Sequence, residues 1–476
     1  MGGVSTPLST PAGPPPGPRP PGHLVRDAAL ALLAVAAGLV AMGVVAGLGL
    51  WAAGAADLPG GAGAFVAVLA AVVVMAAGGQ VGLAGDAGDL AGTQAEITAM
   101  PLTVTLVGAL VTGFCFLRPL RHHAVARSRD LLSLAVPTVL IWLAALAGLS
   151  ALARHDFPIT LGGDTSQGGG DLGDLFSELL DAVNPSVGFR TDLGPTLFYG
   201  LLWILGVLVV ALLVSRRTPL PARLVRHHQA VRPAASAMLL LVLAYVVIGL
   251  VIGIVVAATK GHAAQTLAVL LLGLPNVSWL ALGVGIGGSW QGRVDGPFGL
   301  PMPQILDDVL RGGNGGKDLS TLDLSSLASY DARAWWLLPV AAVLVLAAAF
   351  VAAVRSPART RLWQHSLHLG IAFALAMLVV TPLTLVEARF GLSILGIGEL
   401  ESLGGEVVLR PDVWKTVGLA LLWGLVAGFL GGLLATPVRR RGEVDAGRPK
   451  DAAPPSEPPT PPVPPTPPVP PGPPAG

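Results

Sequence analysis

The chain of 476 residues is 53% hydrophobic and only 12% charged, with a mean hydropathy of +0.71 and a formal charge of +1. Soluble domains average about 25% charged residues, so this composition excludes an ordinary globular protein and places the chain in a bilayer. Its single cysteine, Cys115, excludes an intrachain disulfide and reads as a small packing residue inside an apolar run, not as a redox centre.

The first 23 residues form a proline-rich tail containing PAGPPPGPRPPG, a composition that favours disorder or polyproline II. Apolar runs long enough to cross a core about 30 Å thick as helices follow at 28–53, 101–117, 131–152 and 195–214, and then at 235–257, 334–354, 366–385 and 414–435. Continuous apolarity predicts helices, because the strands of a membrane barrel would alternate over about ten residues. The first run leads straight into more apolar sequence and is read as a retained helix, not a secretory leader. Two further runs are ambiguous. That at 64–77 is too short to span, and that at 266–287 is broken by Leu274-Pro275-Asn276; glycine and polar residues follow both. Residues 442–476 form a second proline-rich tail, read like the first as a solvated spacer or as a ligand for a protein partner. Four lysines stand against 25 arginines in an Ala-, Gly-, Val- and Pro-rich background. That bias is read as GC-rich coding, so small residues alone are given no packing role.

Charge orients the spans. Arg118/Arg121/Arg127/Arg129, Arg216/Arg217/Arg223/Arg226/Arg232, Arg355/Arg359/Arg361 and Arg439/Arg440/Arg441 lie in or beside short connections, which the positive-inside rule assigns to the cytoplasm. The long connections 155–194 and 386–413 are acidic and belong outside. On this map the inner side carries 19 basic and 6 acidic residues and the outer side 10 and 22. Both termini are then cytoplasmic, and segments 64–100 and 266–330 must each begin and end outside. A proline at 275 disfavours helix in the residue before it, so the second segment is predicted as two half-helices meeting near mid-membrane, with Asn276 deep and the chain returning at Gly287.

A repeat underlies this order. FRTDLGPTLFYGLLW, residues 189–203, reappears as LRPDVWKTVGLALLW, residues 409–423, at an offset of 220 that matches Arg190 with Arg410, Asp192 with Asp412 and Thr196 with Thr416. Aspartate near a helix start is favoured by a fraction of a kcal/mol, and convergent helix-start composition is the alternative reading. The charge order of the two halves agrees as well, so residues 24–232 and 233–441 are read as repeats of one orientation about an axis along the membrane normal. The fold class is all-α: a polytopic membrane protein of about eight full crossings plus two re-entrant or broken segments.

Glycine clusters with polar residues at membrane depth leave backbone groups without helical partners, and this is tolerated only against protein or water. Gln80, Asp86, Asp89 and Glu96 in the first repeat, with Asn276, Ser278, Trp279, Ser289 and Gln291 in the second, are therefore candidates for lining a pathway or pocket. The alternative makes these stretches surface loops. A half-helix entering from outside, a glycine-rich return and a span going in follow the order of a channel pore loop. QVGLAGD, residues 80–86, resembles a filter sequence, but GVGIGGSW in the second copy lacks the acid and the matching length, so that family is not assigned. An acidic outer mouth would concentrate cations, and acidic outer loops also serve solubility alone. Enzyme signatures fail: GGSWQG, residues 287–292, offers Ser289 among glycines but no partnering histidine or lysine at membrane depth. His122-His123 and His227-His228 lack the further ligands of a metal site. No nucleotide-binding fingerprint occurs, and neither a cofactor nor a nucleic-acid partner is expected.

Residues 273–311, GLPNVSWLALGVGIGGSWQGRVDGPFGLPMPQILDDVLR, together with GGQVGLAGDAGDLAGTQAEITAMPLTVTLVGAL at 78–110 and the proline-rich ends, resemble the streptophobe family, hydrophobic multi-span proteins of streptomycetes and their relatives. The resemblance runs from the first span to the last. It implies a bacterial plasma-membrane location; the family has no established activity and transfers no site residue. Two functions stay open: a permease for a small solute, a cation among the candidates, and a non-transporting scaffold whose outer loops and tails bind partners, with an intramembrane enzyme behind both. The charge map carries its own test. Reporters fused after Arg232 or Arg441 are expected to read as cytoplasmic and a tag at Gly169 as external; a cytoplasmic signal at Gly169 would overturn the map.

Overall fold

The computed structural model describes residues 22–57, 61–86, 91–120, 128–158, 186–215, 222–259, 261–295, 320–356, 361–394 and 405–436. Most of both proline-rich tails lies outside them. The helices are α1 (Gly22–Ala52), α2 (Gly61–Ala76), α3 (Leu102–Leu120), α4 (Ser128–Leu152) and α5 (Leu193–Val214), then α6 (Ala222–Thr259), α7 (Ala263–Gly285), the short α8 (Leu324–Tyr330), α9 (Leu337–Arg355), α10 (Leu362–Leu383) and α11 (Val413–Leu434). Among the described residues nine of these, all but α2 and α8, are long and apolar enough to cross a membrane. The chain is an integral membrane protein with a helical body.

The connections hold what the sequence reading lacks. Strands β1 (Val81–Asp86), β2 (Ala91–Ala99), β3 (Arg154–Pro158), β4 (Ser186–Thr191), β5 (Trp290–Asp295), β6 (Ser320–Leu322), β7 (Val386–Ile394) and β8 (Gly405–Pro411) pair in one eight-stranded sheet. Its order is β3-β4-β1-β2-β7-β8-β5-β6. The first four strands belong to one half of the chain, and the last four repeat their order in the other. The halves meet where β2 pairs antiparallel with β7, Ala91 opposite Ile394 through Ala99 opposite Val386.

This sheet fixes the direction of the helices. β2 leads into α3, β4 into α5, β6 through α8 into α9, and β8 into α11, while β3 follows α4 and β7 follows α10. One end of the helical body therefore gathers all of these termini. Side-chain contacts agree: Ser133 at the start of α4 donates to Asp27 at the start of α1 at 2.8 Å, making those two parallel, and Gly108 of α3 lies against Met42 of α1, making those antiparallel. α1, α4, α6 and α10 run toward the sheet and α3, α5, α9 and α11 away from it, so the two halves share one orientation.

The junction corrects the expected axis. A twofold along the membrane normal would generate a second head-to-tail junction, between β6 and β3, equivalent to that between β2 and β7. Among the described residues β3 and β6 are sheet edges.

The sheet is two-faced, because successive strand residues point to opposite sides. One row of the register runs Thr191, Val81, Ile97, Ala388, Val407 and Val294; the next runs Arg154, Arg190, Gly82, Glu96, Arg389, Glu406 and Asp295. Val81, Thr191, Ala388 and Val407 are buried, and Val81 and Phe189 pack with Ala67, Ala70 and Ala71 of α2. The apolar face lies on the helices, and the exposed Arg154 and Arg190 belong to the opposite face.

Each half has its own helical core, one around Met42, Val104, Trp142, Leu146 and Ile204 and the other around Met238, Leu282, Val345, Phe373 and Ala427. Trp142 stacks on Trp203 with ring centroids 4.5 Å apart. Large aliphatic residues such as Leu202, Val209, Leu422 and Val426 are exposed and form the lipid-facing surface. α10 and α11 approach along Gly424, Gly428 and Gly432, the small-residue spacing that lets membrane helices meet backbone to backbone. A Cβ at Gly424 would lie 2.7 Å from Gly370 Cα and one at Gly428 2.8 Å from Ser366 Cα. Ile204 and Leu208 stand at the first two corresponding positions of α5. Gly424→Ala and Gly428→Ala are each expected to destabilise by about 1–3 kcal/mol through overpacking, read as a lower melting temperature in micelles, whereas Gly418→Ala, where a Cβ meets nothing, is expected to leave it unchanged.

Candidate functional site

Both ambiguous segments turn back by the same device. At the end of α2, Gly78 N–H donates to Met75 O at 2.9 Å and Gly79 N–H to Val74 O at 2.9 Å; at the end of α7, Gly287 N–H donates to Val284 O at 2.9 Å and Gly288 N–H to Gly283 O at 2.8 Å. This is the Schellman C-cap, in which a left-handed residue lets two N–H groups satisfy carbonyls of the last turn. Gly78 and Gly287 both have φ of +94°, a region glycine enters without steric cost. The turns then climb the matched helices. Gly79 lies against Thr196 and Gly78 against Tyr199 of α5, while Gly288 lies against Thr416 and Gly287 against Leu419 of α11. β1 and β5 carry the chain into the sheet, Val81 opposite Thr191 and Trp290 opposite Pro411. Segments 64–100 and 266–330 thus both leave their glycine turns toward the sheet end of the helical body.

The helix break expected at Leu274-Pro275-Asn276 is absent. α7 is continuous through Pro275, and groups from α3 bind it on either side of the proline. Thr103 Oγ1 donates to Leu270 O and accepts from Leu274 N–H, each at 3.0 Å, a hydroxyl inserted between the partners of one helical hydrogen bond. Asn276 Oδ1 accepts from Leu102 N–H at 3.2 Å and its Nδ2 donates to Met100 O at 2.9 Å. Asn276 therefore caps α3, satisfying an orphan donor at that helix start, and clasps the two repeats together. It does not line a mid-membrane turn.

The other candidates disperse. Trp279 Nε1 donates to Val242 O at 3.3 Å, and the buried Ser278 hydroxyl lies against Gly249. Gln80, half-buried, joins the Gly78–Gly79 turn to β1, and Gln291 is exposed on β5 opposite Arg410 and Thr321. Asp86 ends β1 opposite Gly92 and Ser186, and Glu96 sits in β2 opposite Gly82 and Arg389. Asp89 lies outside the described residues. Strands β2, β7 and β8 stand between β1 and β5, so the two sets do not converge on one pocket. The helix-end pairs occupy matching places: Asp192 and Asp412 stand at the N-caps of α5 and α11, and only Asp412 accepts a cap bond, from Lys415 N–H at 3.2 Å. Arg410 binds both carboxylate oxygens of Glu387, at 3.1 and 3.2 Å, whereas Arg190 makes no such pair.

Folding supplies one partner that local sequence could not show. Lys415 Nζ donates to Ser289 Oγ at 3.1 Å across 126 residues of chain, and Ser289 O accepts from Asp412 N–H at 2.9 Å. A serine–lysine pair is a known form of nucleophile, but activation requires a desolvated lysine, and Lys415 is exposed. The contact ties the second glycine turn to α11. Among the described residues no three His, Cys, Asp or Glu side chains gather as a metal site would need. Thr103 was equally hidden, since nothing near it marks a threonine that will enter another helix. Comparison of the chain with protein-family models, with curated proteins and with solved structures finds no match in any of the three. Asn276→Leu strands Leu102 N–H and Met100 O, and Thr103→Val removes the hydroxyl that ties Leu270 and Leu274 of α7 to α3. Each variant is expected to cost about 1–3 kcal/mol as a lower melting temperature in micelles, and an unchanged value would contradict the clasp.

Proposed function

We propose that the protein is a membrane scaffold of the bacterial plasma membrane, a streptophobe-like chain with cytoplasmic termini whose two repeats hold a strand-built platform on the outer face for a protein partner. The observation that carries this reading is the fate of the candidate polar groups. Asn276, Trp279, Ser289 and Asp412 are held in hydrogen bonds that stabilise the fold, and the two glycine turns serve separate repeats instead of facing one another across a path. The exposed Arg154, Arg190 and Arg410 on the sheet give a partner-binding surface its polarity, and the proline-rich tails offer a second, cytoplasmic contact. The rival permease reading draws on buried hydroxyls without a partner among the described residues, Thr112, Thr196, Ser278 and Thr381, which a hydrated path would satisfy.

Flux separates the two. Purified protein in proteoliposomes is expected to pass potassium, sodium, ammonium and small neutral solutes no faster than protein-free vesicles. A cation flux lowered at least tenfold by Gln80→Leu or Ser278→Ala, with the fold intact by circular dichroism, would replace the scaffold with the permease.

A further inference from the structure

The two repeats differ in charge at corresponding places on the sheet, and the difference leaves two guanidinium groups without an ion pair among the described residues. In the second repeat Arg410 of β8 is neutralised by Glu387 of β7. The strand registers make Arg190 the counterpart of Arg410 and Asp156 the counterpart of Glu387. Asp156 is one methylene shorter, its carboxylate lies over Gly188, and it does not bond Arg190. The counterpart of Leu385 is Arg154, a second cation directly opposite Arg190 in the β3–β4 pair. Like charges facing each other across strands are destabilising. On the far side of β4 the facing residue is Gly82, which puts no side chain over the pair. The result is an open hollow of about 570 Å³ lined by Arg154, His155, Asp156 and Arg190. Neither arginine has a hydrogen bond or ion pair among the described residues.

We infer that this hollow binds a phosphate group between Arg154 and Arg190. Two guanidinium forks present paired donors to a tetrahedral oxyanion, and the anion removes the repulsion that the bare pair carries. Arg154 follows the membrane-crossing helix α4, which ends at Leu152, so the site lies at the level of lipid headgroups as well as within reach of solutes. The phosphate then belongs either to an anionic lipid or to a free phosphate compound. Asp156 sets the selectivity by disfavouring a second anion in the same space.

The full-length protein in micelles tests this in two arms: thermal stabilisation by inorganic phosphate against chloride at matched low ionic strength, where screening is weak, and retention of phosphatidylglycerol against phosphatidylcholine by native mass spectrometry. Binding in one arm is expected and names the source. Arg154→Gln and Arg190→Gln are each expected to weaken it about tenfold, the loss of a charge-assisted hydrogen bond. Asp156→Glu recreates the reach of Glu387 at unchanged charge and is expected to weaken binding while keeping the fold, which guards against loss by misfolding. Arg410→Gln, whose guanidinium is already paired, is expected to change nothing. Binding in neither arm, or binding indifferent to both Arg154→Gln and Arg190→Gln, would overturn the site.

Discussion

A chain that ends a helix and turns back against packed neighbours must satisfy its own backbone, and the architecture of this protein follows from how that requirement is met. α2 and α7 each end in the same pair of glycine-directed hydrogen bonds, at Gly78–Gly79 and at Gly287–Gly288. A residue with a Cβ at either positive-φ position would be strained, and a helix end without the Schellman bonds would leave two carbonyls stranded. Once turned, the chain rises beside α5 or α11 and finds its next partners in β4 or β8. The strands are thus the continuation of the turn, and the sheet is where the return segments complete their hydrogen bonding. Each repeat builds a four-stranded block this way, and the β2–β7 pairing joins the blocks.

The repeats share this framework but have diverged around it. α7 is 23 residues long against 16 for α2, and within the stretch that matches α2 it binds the first repeat, Leu270 and Leu274 through Thr103 and Asn276 through Met100 and Leu102. Gly424, Gly428 and Gly432 draw α11 onto α10, whereas the bulkier Ile204 and Leu208 hold α5 further from α4. On the sheet, the Arg410–Glu387 ion pair of one repeat becomes an open Arg154–Arg190 pair in the other. Divergence falls where the framework leaves side chains free, at the helix faces and at the solvent side of the sheet, while the glycine turns are the same in both copies.

Much of the membrane body was legible in the sequence. Apolar runs of about 20 residues are set by bilayer thickness, the arginine clusters orient them, and the matched stretches at 189–203 and 409–423 announce the duplication. Residues 64–77 were too few to span, and the helix observed there does not. The sheet was not legible. β1, VGLAGD, and β2, AGTQAEITA, are rich in glycine and alanine, residues with weak strand preference, and they form strands because the turns deliver them side by side. The break expected at Pro275 rests on local sterics that are sound for an isolated helix; in the fold Thr103, 172 residues earlier in the chain, bridges Leu270 and Leu274 in the turn before the proline. Asn276 was singled out for being polar at membrane depth, and its place matters, although its role is to cap α3. Ser289 and Lys415 likewise meet only in the folded chain.

The pairing of β2 with β7 is the point at which turns, sheet and duplication come together, and it can be measured directly. Thr98 and Glu387 face each other in that ladder, within the range over which two Cα atoms of paired strands accept a disulfide. In a chain with Cys115 replaced by alanine, Thr98→Cys and Glu387→Cys would be oxidised in native membranes and the chain then cut at a protease site placed between α5 and α6. The two halves are predicted to stay covalently joined until reduced, with the bond formed within one chain. Halves that separate without reduction, or a disulfide found only between two chains, would contradict a single sheet spanning the repeats.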